Sequence, residues 1–286
     1  MNITMKVPPG DQGAAVHAGL LEGITIAAPP AAHEPMGFFT DSTLCIGCKA
    51  CEVACKQWNA LPADGNTWSG QSYDNTLHLS ATTWRHVSFT EHALPEGGIK
   101  WLFNSDVCKH CTAAPCQEAC PTGAIIRNEF DDVYVQQDVC NGCGYCVAAC
   151  PFGVLDRSKA DGAAHKCTLC YDRQKDGLEP ACAKSCPTDS ILFGPVSQLR
   201  EHACGRLRDL HERGEKNAYL YGESDAGEYK RLNAFFLLTD EPAAYNLPAA
   251  PRRPSALMLR RYLWSAAVGV GLSLAGALAL SGTKED

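Results

Sequence analysis

The chain has 286 residues and a formal net charge of −7, from 25 lysines and arginines against 32 aspartates and glutamates. This acidic balance argues against a nucleic-acid partner held through phosphate contacts. Ordinary glycine and proline counts, with 45% hydrophobic residues, exclude a wholly disordered, collagen-like or polytopic membrane protein. The 17 cysteines are the informative number, because a disulfide framework of that size suits a small secreted scaffold rather than a chain this long.

Residues 1–37 are predicted to form an N-terminal arm. Lys6 is the only lysine or arginine in this stretch, and no uninterrupted apolar core leads to a small-residue cleavage site, so we do not expect a secretory signal. The segments VPPG and APPAAHEP favour extended backbone. The stretch is either an arm that rests on another surface or a loose tail.

Four groups of four cysteines dominate the next part of the chain. They are Cys45, Cys48, Cys51 and Cys55; Cys108, Cys111, Cys116 and Cys120; Cys140, Cys143, Cys146 and Cys150; and Cys167, Cys170, Cys182 and Cys186. Groups one and three have the C-x2-C-x2-C-x3-C spacing of bacterial two-cluster ferredoxins, in which the fourth cysteine binds the neighbouring cluster. Groups two and four lengthen the middle gap. The repeat predicts iron–sulfur clusters.

Two other uses of the cysteines compete with this interpretation. Zinc also binds four cysteines, and group four alone fits a zinc site, but the third cysteine of group three is surplus to a zinc knuckle. Disulfides fit less well, because the groups are dense and one cysteine is left over. Among the histidines, His110 is interpreted as a hydrogen-bond donor near sulfur rather than a ligand. Lys49, Lys109 and Lys166 lie beside cysteines and are expected to offset cluster charge.

Short strands are predicted between and after the cysteine groups. We expect one at residues 124–126 and a return strand at residues 133–135, within a ferredoxin core. The alternating segment TLHLSATTW, at residues 76–84, also indicates a strand. It lies in a tryptophan-rich region that either has its own small core or docks a partner.

The C-terminal third combines a predicted helix, a strand and an apolar run. Leu199, Ala203, Leu207 and Leu210 mark one helical face, and Cys204 at its edge is interpreted as a small buried hydrophobe. Residues 233–238 are a strand candidate. Residues 262–281 carry no charge and would measure about 30 Å as a helix, enough to span a bilayer.

The motifs CIGCKACEVACKQWN, CQEACPTGAI, CNGCGYCVAACPFGV and HKCTLCYDR resemble those of the iron–sulfur (beta) subunits of membrane-bound formate dehydrogenases. Those subunits belong to a wider family of four-cluster proteins that serve molybdopterin oxidoreductases and hydrogenases. The resemblance covers about residues 38–250. Trp58, Asn59 and the single C-terminal span point to the formate branch.

This resemblance implies an α+β fold of two ferredoxin-like two-cluster modules, one inserted in the other, plus one C-terminal transmembrane helix. The expected divisions are an arm at 1–37; a double domain at 38–195, with an outer module at 38–56 and 159–195, an insertion at 57–103 and an inner module at 104–158; an extension and linker at 196–254; and an anchor at 255–286.

The resemblance also implies four [4Fe-4S] clusters with crossed ligands, which agrees with the fourth-cysteine rule of two-cluster ferredoxins. The implied sets are Cys45, Cys48, Cys51 and Cys186; Cys55, Cys167, Cys170 and Cys182; Cys108, Cys111, Cys116 and Cys150; and Cys120, Cys140, Cys143 and Cys146.

The function implied is electron transfer without catalysis by this chain. Electrons would pass from a molybdopterin (molybdenum or tungsten) catalytic subunit that oxidises formate, through the four clusters, to a membrane cytochrome b-type subunit and quinone. The same relay in a hydrogenase, polysulfide reductase or nitrate reductase is the first alternative. A zinc-bound scaffold that bridges two subunits is the second.

The protein is expected at the cell membrane, and its cluster domain could lie on either side of that membrane. Four arginines precede the apolar run and one lysine follows it, which favours a cytoplasmic cluster domain. The family arrangement instead places that domain on the outer, periplasmic face, exported with a partner that carries the twin-arginine signal. Since large folded domains weaken the charge rule, we expect the outer face.

Overall fold

The computed structural model describes residues 34–65, 68–70, 73–94, 97–224 and 229–281. Most of the arm predicted for residues 1–37 therefore lies outside the described residues. The strands are β1 (Met36–Asp41), β2 (Arg85–Ala93), β3 (Ile99–Val107), β4 (Ile125–Arg127), β5 (Val133–Val135), β6 (Asp156–Arg157), β7 (Ala164–His165), β8 (Ile191–Pro195), β9 (Tyr219–Tyr221) and β10 (Ala234–Leu238). The helices are α1 (Ala50–Trp58), α2 (Pro115–Glu118), α3 (Tyr145–Ala149), α4 (Tyr171–Lys175), α5 (Ala181–Lys184), α6 (Val196–Glu212) and α7 (Met258–Ser281).

A four-stranded sheet in the order β8-β1-β10-β9 joins the two ends of the cysteine-rich region. β10 pairs parallel to β1 and antiparallel to β9. Phe235 and Leu237 of β10 pack towards α6, while Phe236 and Leu238 face the larger core that contains the cysteines. Burial on both faces explains why this strand is a continuous hydrophobic run. The strand predicted at residues 233–238 is confirmed.

Helix α6 covers one face of this sheet. Leu199 and Ala203 are fully buried against it, and Leu210 is nearly so. Leu207 is partly buried and packs on the same cluster. The predicted helical face is therefore confirmed, and Cys204 at its edge is half-buried.

The strand predicted at residues 76–84 is wrong, because this stretch is irregular. The backbone N–H groups of Thr82 and Thr83 both donate to the hydroxyl of Ser80, at 3.2 and 3.1 Å. Such local bonds from a serine side chain compete with strand pairing. The strands of this region are β2 and β3, a hairpin in which Arg85 pairs with Val107.

Smaller elements carry the cysteine loops. β4 and β5 form a two-stranded unit, with β5 at the residues predicted and β4 one residue later than predicted. Three of the short helices begin directly after a residue in the left-handed region, at Lys49, Gly144 and Cys170. These left-handed residues turn the chain sharply from a cysteine loop into a helix.

The chain ends in an exposed apolar helix. α7 begins four residues before the predicted run, and Arg260–Leu280 within it is long and apolar enough to cross a membrane. A short 3-10 turn at Pro254–Leu257 leads into it. At the start of that turn, the Arg253 guanidinium lies 3.0 Å from the carboxylate of Glu118 on α2, and the Ser255 hydroxyl donates to the same carboxylate at 2.5 Å. The start of the apolar helix is therefore attached to the cysteine-bearing core.

Candidate metal centres

The sites are numbered by the four cysteine sets given above, and site two is a cavity beside α1, α4 and α5. The cysteines that line it are Cys55, Cys167, Cys170 and Cys182. All four are buried. One cysteine of the first sequence group is thus brought together with three of the fourth, as the crossed pattern expects. Burial raises the pKa of the Cys170 thiol to about 11, and the neighbouring thiol of Cys182 contributes.

Site three is a second cavity, beside α2 and the end of α3. Its cysteines are Cys108, Cys111, Cys116 and Cys150. His110 also lines this cavity and is fully buried. The Val133 N–H donates to His110 Nδ1 at 3.1 Å, while Nε2 has no partner. Burial, reinforced by Lys166 and Arg127, holds the pKa of His110 well below its usual value, so the ring is neutral and its proton is on Nε2. The unpartnered Nε2 belongs to a ring that lines the same cavity as the four thiols, and the role of His110 as a donor to sulfur stays a prediction.

Site four lies nearer the surface. Its cysteines are Cys120, Cys140, Cys143 and Cys146. Burial raises the pKa of the Cys146 thiol to about 11, and the thiols of the other three raise it as well, which places the four together. The Ala164 N–H donates to Cys140 Sγ at 3.4 Å. Cys143 is exposed.

Site one is the other surface-proximal group. Burial raises the pKa of the Cys45 thiol, and the neighbouring thiols of Cys186 and Cys48 raise it further. Cys48 is exposed. Cys51 is buried on α1, with its Sγ 3.3 Å from the Ser105 hydroxyl. The structure thus brings three of the four cysteines predicted for this site together directly, and places the fourth one helical turn from site two.

Short helices connect the sites into a row. The cysteine pairs spaced by four residues lie about one helical turn apart, and one thiol of each pair lines the cavity of site two or site three. The other thiol, except that of Cys51, interacts with the thiols of site one or site four. These pairs are Cys51 and Cys55, Cys182 and Cys186, Cys116 and Cys120, and Cys146 and Cys150. Between sites two and three, the thiols of Cys167 and Cys108 interact electrostatically. The order along the row is therefore one, two, three, four.

The described residues fit an iron–sulfur cluster better than a zinc ion. Four thiols spread around a cavity suit a larger metal body bound through thiolates. Burial opposes ionisation of these thiols, raising the pKa of Cys51 and of Cys116 to about 12 each. A bound cationic iron core would overcome that opposition.

Buried cations accompany the row. Lys109 is fully buried, bonded to Asp106 and to the Val107 carbonyl at 2.7 Å. Lys166 is also buried and donates to the Cys167 carbonyl at 2.8 Å. These two lysines were predicted to lie near the clusters. Lys49, predicted with them, is half-buried and is engaged by two carboxylates, those of Glu52 and Asp74.

Sequence reasoning missed three polar residues at the sites. Arg85 and Asn59 both line site two, and Ser105 lies against the Cys51 thiol. The Asn59 amide caps α1, donating to the Cys55 carbonyl at 2.9 Å and lying 3.7 Å from Cys55 Sγ. Its place four residues after a cysteine is a local signal. Arg85 and Ser105 have no such signal, because the β2–β3 hairpin brings them in from a distance.

Two stretches of the sequence match known domain families. Residues 44–124 and residues 99–196 each match a family model described as a 4Fe-4S dicluster domain. The matched stretches follow one another in the sequence and overlap. Together they contain every cysteine of the four groups.

Individual relatives extend the match over most of the sequence. The formate dehydrogenase iron–sulfur subunit of Haemophilus influenzae is 41% identical over 216 residues, covering 74% of this chain and 68% of that protein. The formate dehydrogenase-O iron–sulfur subunit of Escherichia coli is 37% identical over 245 residues, covering 84% and 80%. The B subunit of the anaerobic dimethyl sulfoxide reductase of Escherichia coli is 36% identical over 165 residues, covering 58% and 76%.

Proposed function

Because this chain is a member of the family of formate dehydrogenase iron–sulfur subunits, we propose that it carries electrons from a formate-oxidising molybdopterin subunit to a membrane cytochrome b-type subunit that reduces quinone. The chain is a non-catalytic, electron-transfer subunit of an oxidoreductase complex. Its two dicluster domains account for four [4Fe-4S] clusters. When bound, these clusters supply reversible one-electron oxidation and reduction.

The observation that carries the proposal is the exposure pattern along the row of sites. Every cysteine of site two is buried, and in site three only Cys150 is partly exposed. The two ends of the row each have an exposed cysteine, Cys48 in site one and Cys143 in site four. A row that is enclosed in the middle and open at both ends suits transfer between two different partners.

The crossed ligand sets are part of this proposal. Site one would use Cys45, Cys48, Cys51 and Cys186; site two, Cys55, Cys167, Cys170 and Cys182; site three, Cys108, Cys111, Cys116 and Cys150; and site four, Cys120, Cys140, Cys143 and Cys146. The two cavities support the middle sets, each of which joins cysteines from two sequence groups.

We propose the nested modules on the same grounds. Sites one and two share α1 and α5, which pack against each other although a long stretch of sequence separates them. Sites three and four share α2 and α3, which also pack together and lie between the other two helices in sequence. The divisions at 37, 103 and 195 stay predictions. β1 and β3 run across the first two of them.

The attachment of α7 indicates which end of the row of sites lies nearer the membrane. Arg253 and Ser255 bond to Glu118, which lies between Cys116 of site three and Cys120 of site four. Site four is thus proposed to face the membrane cytochrome, and site one the catalytic subunit. The orientation proposed for the cluster domain is the outer face of the membrane.

Deleting residues 255–286 should move the complex from the membrane to the soluble fraction. α7 is exposed along its described length and has an apolar run long enough to span a bilayer, so removing it removes the anchor. Fractionation and immunoblotting measure the change. Glu118→Ala, which loosens the attachment while keeping α7, is the control and should stay membrane-bound. A truncated protein that remains in washed membranes would contradict an anchoring role for α7.

The function is tested by purifying the complex anaerobically through a tag on this chain. The protein should contain about sixteen irons and as many acid-labile sulfides, four of each per cluster. The copurified catalytic subunit should oxidise formate, whereas the isolated iron–sulfur subunit should not. Stoichiometric zinc without sulfide would contradict the relay. If the copurified partner did not oxidise formate, the electron-transfer role would stand but the assignment to formate dehydrogenases would be wrong. The similarity to the dimethyl sulfoxide reductase subunit supports this alternative.

A further inference from the structure

Arg85 is a fully buried arginine at a boundary between two sites. It is the first residue of β2, its side chain lines site two, and 1% of its surface is exposed. Moving a guanidinium from water into a protein interior is strongly unfavourable unless opposite charge or hydrogen bonds compensate. The charges and hydrogen bonds that offset the burial of Arg85 therefore indicate the role of this residue.

The protein groups around Arg85 satisfy only part of its side chain. Its Nη1 donates to the Ser105 carbonyl at 3.2 Å and to the Ser105 hydroxyl at 3.1 Å. The guanidinium lies over the ring of Phe38, 4.7 Å from its centroid. Nε and Nη2 are buried and have no hydrogen-bond partner. Two of its donor atoms are therefore left for another acceptor.

The acidic groups whose ionised forms attract Arg85 are cysteine thiols. Its strongest attractive interactions are with Cys182, Cys51, Cys167 and Cys55. Cys182, Cys167 and Cys55 belong to site two, and Cys51 belongs to site one. Lys109 is engaged by a carboxylate, and Lys166, which also interacts with the thiols of Cys108, Cys116 and Cys167, donates to two backbone carbonyls. Among these three buried cations, Arg85 has two buried nitrogens, Nε and Nη2, without a hydrogen-bond partner, and it lines the thiol-bearing cavity of site two.

We propose that Arg85 is the counter-ion of site two and donates hydrogen bonds to the sulfurs of the group bound there, raising its reduction potential. This inference rests on the proposed ligand set of site two. Reduction adds negative charge to the bound group, and a fixed cation with N–H donors stabilises the reduced state more than the oxidised one. The Ser105 hydroxyl bonds both Arg85 and Cys51, so site one should feel a smaller effect.

An arginine suits this position better than a lysine. Its planar guanidinium has five N–H donors in a fixed fork, so it bonds Ser105 on one edge while other donors face the cavity. A lysine would keep the charge but lack that fork. The two properties can therefore be separated by substitution.

The test compares Arg85→Met and Arg85→Lys in the full complex by redox titration monitored with electron paramagnetic resonance. The site-two signal is identified by its loss or change in Cys182→Ser. Arg85→Met should lower the midpoint potential of site two enough to change its electron occupancy at least tenfold, which is about 59 mV for one electron. Sites one and three should shift less, since Arg85 also acts on His110 beside site three, and site four should not shift. Arg85→Lys should recover part of the potential.

Arg213→Met is the matched control, because Arg213 is an exposed arginine at the end of α6 and its charge is screened by solvent. It should leave all four potentials unchanged. An unchanged site-two potential in Arg85→Met, or an equal shift at all four sites, would overturn the proposal. If the unsubstituted complex lacked iron and sulfide, the proposed relay itself would be wrong. If it contained both, such a result would count against the proposed role of Arg85 alone.

A second measurement keeps the proposal falsifiable if Arg85→Met fails to assemble. Unsubstituted protein carrying guanidino-¹⁵N-arginine should show a ¹⁵N coupling to the reduced site-two cluster in pulsed electron paramagnetic resonance. Arg85→Lys should lack that coupling. Its absence from the unsubstituted protein would show that the arginine does not bond the group in site two.

Discussion

Cys143→Ser in the assembled complex is expected to lower formate-driven quinone reduction at least about 100-fold, since changes to residues that merely support metal ligands already cost about 10- to 100-fold. Cys143 is the exposed cysteine of site four, at the end of the row beside the attachment of α7. A serine hydroxyl is a poor substitute for a thiolate ligand. Formate reduction of an artificial dye that draws electrons at the catalytic subunit should persist, because that reaction does not use this end of the row.

The protein supplies its own control for this experiment. Cys204 is half-buried on α6 and belongs to none of the four sites. Cys204→Ser makes the same chemical change and should preserve both the dye and the quinone rates. If quinone reduction persisted in Cys143→Ser with the site-four signal gone, electrons would leave by another route.

Cys186→Ser should perturb the cluster of site one and leave site two with its ligands complete, although Cys186 belongs to the same sequence group as three site-two cysteines. The reason is that Cys182 and Cys186 lie in different places relative to α5. Cys182 lies on α5 and lines the site-two cavity, whereas Cys186 lies just beyond α5, beside Cys45. The expected result is loss or conversion of one of four cluster signals, with a smaller iron content.

Cys182→Ser is the reciprocal variant and should alter a different signal. The pair is measured by electron paramagnetic resonance of the reduced proteins together with iron analysis. If both substitutions changed the same signal and left the other three intact, each sequence group would hold its own cluster. That result would contradict the crossed ligation.

Local pattern was sufficient to predict much of the site. Cluster loops depend on spacing within a few residues, so the sequence groups could be recognised without knowing the fold. The buried face of α6 and strand β10 were also predictable, because their hydrophobic periodicity is local. The strand predicted at residues 76–84 failed because the Ser80 hydroxyl captures two backbone N–H groups there.

Contacts between distant residues account for what sequence reasoning missed. Arg85 reaches site two because β2 pairs with β3, which also brings Ser105 to Cys51. An arginine within a strand pattern has the same sequence appearance whether it faces solvent or a cluster. α7 begins inside the predicted anchor at 255–286 and before the uncharged run at 262–281, because a helix can continue past the apolar part of its sequence through Arg260 and Arg261.

Strand β10 has a consequence for biosynthesis. It pairs with β1, so the hydroxyl of Ser42 donates to the carbonyl of Leu237, 195 residues later. The first residue of β10 and the residues just before it also bond to the cysteine loop of site three, where the Thr112 N–H donates to the Arg231 carbonyl and the Ala234 N–H to the Lys109 carbonyl. A nascent polypeptide still lacking these residues has every cysteine of the four groups already synthesised but cannot complete the sheet. The sheet beside the enclosed middle sites is therefore completed only after every cysteine that lines them has been synthesised.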